Sequence, residues 1–132
     1  MSDLLSAASL LLAIIAVLYG MWYPEIVKSL ATDVPDHPAA KRKPRGEVVA
    51  VRRSRALPLM IATILLATVF LPDMTRIVVR SASMYVSDGV SGFKKYSAVA
   101  TAFVLVEIVA IGFAVHSTRV WLRFGRLLEK LS

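Results

Sequence analysis

The chain has 132 residues, of which 57% are hydrophobic and only 19% are charged, and its mean hydropathy is +0.66. This composition is too apolar for an ordinary soluble domain, and the Lys and Arg residues behind the formal net charge of +7 cluster beside apolar blocks, a pattern typical of membrane orientation. The absence of cysteine excludes disulfides, thiolate metal sites and cysteine nucleophiles. We predict an all-α integral membrane protein with about three transmembrane helices and a C-terminal basic amphipathic helix.

The first apolar block predicts a transmembrane helix over residues 1–23. Its segment 4–23 contains no charged residue. At about 1.5 Å per residue it is long enough to cross a hydrocarbon core of roughly 30 Å. Asp3 stands where a secretory signal would carry basic residues, so a retained helix is favoured over a cleavable signal. Aromatic side chains that prefer the headgroup level mark its end: Tyr19, Trp22 and Tyr23.

Small residues recur along this first helix at steps of four, three, four, three and four. Small side chains let the backbone of another helix approach closely, and serine can add a hydrogen bond between helices. We therefore predict a helix-packing face whose partner is the third span, a second copy or a foreign subunit, with packing inside the chain favoured. The stripe consists of Ser2, Ser6, Ser9, Ala13, Ala16 and Gly20.

Residues 24–56 are rich in proline and in Lys and Arg, which predicts an extended, basic cytoplasmic linker. The segment 41–45, Lys-Arg-Lys-Pro-Arg, is similar to a nuclear-import patch or an RNA-binding arm. Basic loops are common beside membrane helices for orientation alone, and that interpretation is favoured. Segment 47–52 is compatible with a short strand or with the start of the next helix.

The second apolar block, residues 57–71, is shorter than the usual minimum of about 17 residues for a span. We predict that transmembrane helix 2 extends over 57–79, with Pro72 producing a kink; a re-entrant hairpin is the less favoured alternative. Residues 80–96 are then expected to form a non-cytoplasmic interfacial segment and loop.

The third apolar block predicts transmembrane helix 3 over residues 97–116, with Glu107 near its middle. An ionised carboxylate is expensive there, so Glu107 must be protonated, paired or facing water. Ala100 and Ala114 lie seven residues to either side and predict a close helix contact, and Thr63 on the second span is a plausible hydrogen-bond partner. A protonated Glu107 bonded to a neighbouring helix or backbone, or a polar contact in helix association, is favoured over ion or proton movement, and ligand contact is the third possibility.

The tail, residues 117–132, predicts a basic amphipathic helix that lies on anionic lipid headgroups or docks on an acidic partner. Its cations form one stripe beside Trp121: Arg119, Arg123, Arg126 and Lys130. Twelve Lys and Arg lie in the linker and tail, against four between Arg76 and Lys95. The positive-inside rule places the N-terminus outside and the C-terminus in the cytoplasm, and a bacterial inner membrane is expected.

No catalytic motif stands out, and His37 and His116 are the only histidines, so we expect no enzyme, no cofactor and no metal. The hypothesis we favour is a non-catalytic accessory, assembly or scaffold subunit of a larger membrane complex, with a hetero-complex preferred to a homo-oligomer. The alternative is a self-associating pore or small ion-conducting protein, for which the holin type of phage lysis protein is an analogy in size and topology only. Nucleic acid is not an expected partner.

Overall fold

The computed structural model describes residues 2–89, 91 and 97–132. Most of these residues form helices, and none of them lies in a strand. A 3-10 turn, Pro38–Lys41, leads into the second helix, and a π-helical turn, Arg52–Ala56, joins the second helix to the third. The four α-helices are α1 (Ser2–Leu30), α2 (Arg42–Val51), α3 (Leu57–Asp88) and α4 (Ala98–Leu131).

Three helical stretches are long and apolar enough to cross a membrane, which confirms that part of the prediction. They are α1, the continuous helical stretch Pro38–Ser87 that contains α2 and all but the last residue of α3, and α4. Large apolar side chains remain exposed on the outside of the bundle, including Leu10 (64%), Val69 (62%) and Leu105 (58%). Such a surface suits hydrocarbon, where backbone groups must be paired within the helix and apolar side chains can face lipid.

Helices α1, α3 and α4 pack side by side as a three-helix bundle. Tyr19 contacts Phe113 and Tyr23 contacts His116, so α1 and α4 run in the same direction. Phe70 of α3 packs edge to face on Phe103 of α4 with ring centroids 6.0 Å apart. The buried apolar residues that form the core are Ala8, Ile15, Ile26, Val48, Ala56, Leu59, Leu66, Phe70, Phe103, Ala110, Val120, Phe124 and Leu131.

The extended linker predicted for residues 24–56 is wrong over most of its length. Helix α1 continues through Pro24 to Leu30, and helical structure resumes at Pro38. Burial explains the difference, because Ile26 and Val48 are almost fully buried and the removal of their apolar surface from water or lipid headgroups stabilises the folded segment. Lys and Arg, which supply eight of the 33 residues in this segment, are also good helix formers.

The helix boundary predicted after residue 79, between the second span and an interfacial segment, is not found in the structure. Helix α3 passes through Pro72 and continues to Asp88, whereas residues 90 and 92–96 lie outside the described part of the chain. Membrane helices tolerate proline because neighbouring helices, Ser or Thr side chains and local adjustments re-satisfy the freed backbone groups. The carbonyl that Pro72 leaves without an amide donor is that of Thr68, four residues earlier.

The predicted boundary at His116 is also absent, because α4 is one helix from the third apolar block to Leu131. Its start is capped by the Ser97 hydroxyl, which accepts a bond from the Ala100 amide at 3.3 Å. The apolar side of the tail packs on α2, and Phe124 is fully buried there. The tail therefore extends the line of the helix, and its apolar side is covered by protein instead of facing headgroups.

Candidate helix-docking face and buried carboxyl

The small-residue stripe of α1 faces outward. All six of its members are exposed, whereas Ala8, Ile15 and Ile26 of the same helix are buried against the bundle. The buried side of α1 has the same alternating spacing of three and four residues as the stripe. The two sides differ by one residue in register, which is about 100° around the helix axis. The expectation that the stripe packs inside this chain is therefore wrong, because the larger residues next to it supply that contact.

Gly20 shows most clearly that no described residue of the other helices packs on the small side of α1. A Cβ atom added at Gly20 would meet no other atom within 4 Å. Glycine in a helix interior costs roughly 0.5–1 kcal/mol relative to alanine. Because no neighbour among residues 2–89, 91 and 97–132 requires that small size at Gly20, the stripe has room for a helix from outside.

Glu107 lies inside the bundle and is only 1% exposed. Its Oε1 atom has no hydrogen-bond partner among the described residues. Phe103 and Ala110, one turn to either side, are also buried, so apolar groups dominate its surroundings. In such surroundings the neutral, protonated carboxyl is the form compatible with an isolated chain. Ala100 and Ala114, seven residues away on each side, are half-buried.

The predicted pairing of Glu107 with Thr63 is wrong. Thr63 is buried, and its hydroxyl lies 2.8 Å from the Ser117 hydroxyl and donates to the Met60 carbonyl at 2.9 Å. Ser117 follows Glu107 by ten residues, about 15 Å along the helix axis. Thr63 therefore lies too far along the bundle to reach Glu107.

Ser117 is a polar contact residue that the sequence reasoning missed. The sequence signal is a repeat of seven residues on α4, in which Ser117 takes the place of an apolar residue. The structure buries every member of this repeat. The members of that set are Phe103, Ala110, Ser117, Phe124 and Leu131. A serine within such a set is expected to meet a polar group on the facing helix.

At the basic end of the bundle, aromatic and polar contacts tie α2 and the π-helical turn to the other helices. The guanidinium carbon of Arg52 lies 3.8 Å from the ring centroid of Trp121, so Arg52 covers the ring that the sequence assigned to lipid or partner contact. Arg55 Nε lies 3.0 Å from Glu25 Oε2 on α1. Lys41 Nζ donates to the Lys130 carbonyl at 3.4 Å. The roles of Arg52, Arg55 and Glu25 were not predicted.

The four cations of the α4 stripe are all exposed. Among the residues that the structure describes, they form no ion pair, and the salt bridge between Arg55 and Glu25 is the only one. Residues 24–56 and 117–132 hold twelve of the 16 Lys and Arg residues and five of the nine acids. The whole formal net charge of +7 therefore lies at this end of the molecule.

Within residues 2–89, 91 and 97–132, no three His, Cys, Asp or Glu side chains converge in a way that could hold a metal ion. No protein-family model, curated protein or solved structure gives a significant match to this chain.

Proposed function

We propose that this chain is a non-catalytic accessory, assembly or scaffold subunit of a larger membrane protein complex, and that it joins the complex through the small-residue stripe of α1. The observation that carries this proposal is the exposure of all six stripe residues, while a different side of α1 packs on the chain's own helices. Lipid tails are as apolar as leucine, so helices associate in membranes mainly by close van der Waals contact, which small residues permit.

The proposed setting is a bacterial inner membrane, with the N-terminus outside and the C-terminus in the cytoplasm. Three crossings would put the start of α1 on one side, and α2 with the end of α4 on the other. The concentration of Lys and Arg in residues 24–56 and 117–132 supports a cytoplasmic position for that second side, because positive charge resists export.

The position of Glu107 favours a subunit over a self-associating pore. An acidic residue that conducts cations has to line a wet path, whereas Glu107 is only 1% exposed inside this chain's own bundle. A pore built between copies would use the outer surface of the bundle, where Glu107 does not lie.

The proposal is tested by isolating a tagged copy at native abundance in mild detergent and determining the intact mass of the assembly and the identity of every chain in it. Ala13→Leu and Ala16→Leu place bulk on the stripe. Ala7→Leu makes the same change at an exposed alanine on the opposite flank of α1 and is the matched control.

We expect stoichiometric foreign subunits with the unmodified chain, and about a tenfold lower recovery of them with each stripe variant, because overpacking a helix contact costs about 1–3 kcal/mol. Ala7→Leu should change recovery less than about twofold, within a few tenths of a kcal/mol for a surface change. A monomer, or an assembly that contains only copies of this chain, would overturn the proposal.

A further inference from the structure

The contact between α1 and α4 defines a seam that has a different character on its two flanks. On α1, Tyr19 contacts His116 with ring centroids 5.7 Å apart. Glu25, which bonds to Arg55 beside α3, lies about 120° to one side of Tyr19, and Gly20 lies about 100° to the other. The small-residue stripe therefore occupies the flank of the seam that faces away from α3.

The cation stripe occupies the same flank on α4. Ser117 bonds to Thr63 of α3 and lies about 100° from His116 on the α3 side. Arg123 follows His116 by seven residues and continues the line of the seam, while Arg119 lies about 60° from His116 on the side away from Ser117. The α1 stripe and the α4 cations therefore lie on one face of the bundle. The stripe lies within the apolar span, and the cations lie beyond its end.

The length of the cation stripe argues against lipid as its occupant. Arg119 and Lys130 are eleven residues apart, or about 16 Å along α4. Attraction between exposed charges fades over a Debye length of about 8 Å at physiological ionic strength. Headgroups at the level of Arg119 therefore attract Lys130, at the far end of the stripe, only weakly, because α4 continues without a break away from the apolar span.

Charge also argues against a second copy of this chain as the occupant. A copy inserted in the same orientation would bring its own basic end, with a formal charge of +7, beside the first one. Like charges placed opposite one another at an interface cost free energy. Glu25, an acid at this end of α1, is already paired with Arg55.

We infer that the α1 stripe and the α4 cations form one continuous docking face, and that its occupant is a membrane-spanning helix of a foreign chain which continues, at the basic end, into a segment rich in Asp and Glu. The helix packs on the small side of α1, and the acidic segment runs along Arg119, Arg123, Arg126 and Lys130. This inference rests on the proposed function and adds the chemistry of the partner.

Two photoreactive side chains test the two halves of the face in the full-length chain in its own membrane. One replaces Val17, which is exposed at the edge of the α1 stripe, and the other replaces Arg119. We expect both to capture the same foreign chain. The peptide captured from position 17 should be apolar, and the peptide captured from position 119 should be rich in Asp and Glu.

Charge-reversal variants measure how much the α4 cations contribute to recovery of the captured chain. The double change Arg123→Glu and Lys130→Glu should lower recovery of the captured chain about tenfold, because each converts an attraction into a repulsion. The double change Arg45→Glu and Arg53→Glu alters exposed cations on the α2 side by the same total charge and should change recovery less than about twofold.

The outcomes separate this inference from the proposed function. If position 17 captures a foreign chain and position 119 captures only lipid or a peptide without acids, the inference fails and the proposed function stands. If both positions capture a second copy, or both capture only lipid, the inference and the proposed function fail together. Equal loss of recovery in the two charge-reversal variants would also overturn the inference, because the α4 stripe would then have no special role.

Discussion

Replacing Glu107 by Met should make the isolated protein more stable. Met is unbranched like Glu and flexible enough to fit irregular spaces, so it can fill the site beside Phe103 and Ala110, while the carboxyl with an unpartnered Oε1 is removed. A buried polar group without a partner costs about 1–3 kcal/mol. We therefore expect Glu107→Met to raise the free energy of unfolding by about that amount.

The assay is reversible unfolding of the purified full-length chain in mild detergent, followed by circular dichroism at fixed pH and detergent concentration. Thr63→Val is the control of opposite sign, since it removes a buried hydroxyl that has a partner in Ser117 and should lower stability by about 0.6 kcal/mol. Equal or lower stability of Glu107→Met would refute the reasoning, because the carboxyl would then be satisfied by a group within the single chain.

The bond between Thr63 and Ser117 should give a coupling energy of about 0.6 kcal/mol in a double-mutant cycle of Thr63→Val and Ser117→Ala, measured by the same unfolding assay; a coupling near zero would contradict the bond. Because the chain has no cysteine, single cysteines can report sidedness. Cysteines at Ser54 and Ser132 should react only from the cytoplasmic side and one at Ser91 only from outside; labelling of all three from one side would disprove the topology.

The number of the long apolar helices was predictable because hydrocarbon thickness sets a minimum length for uncharged helical sequence, whereas their ends were not. The inward side of α1 was not predictable in the same way. In water, a polar outer side identifies the buried one, but in lipid both sides are apolar. The side that carries Ala8 and Ile15 and the stripe that carries Ala13 and Ala16 have the same periodicity, so only the assembled bundle distinguishes them.

The basic segment between the first two spans was misjudged because its stabilising contacts are distant in sequence. Proline and charge predict an extended chain locally, whereas Val48 of α2 is buried in a core that also holds Phe124 of α4. The partner of Thr63 was missed for a related reason. Which residue of α4 lies opposite Thr63 depends on the register between α3 and α4, and periodicity within either helix does not specify that register.

The packing of α2 on the far end of α4 has a consequence for the order in which the chain is assembled during synthesis. Val48 emerges from the ribosome 76 positions before Phe124, and α3 together with most of α4 must follow before the two can meet. Until then, the side of α2 that carries Val48 is not covered by α4 and is accessible to other apolar surfaces. Completion of α4 covers this apolar side, so the basic end of the bundle is completed only after the last apolar helix has been synthesised.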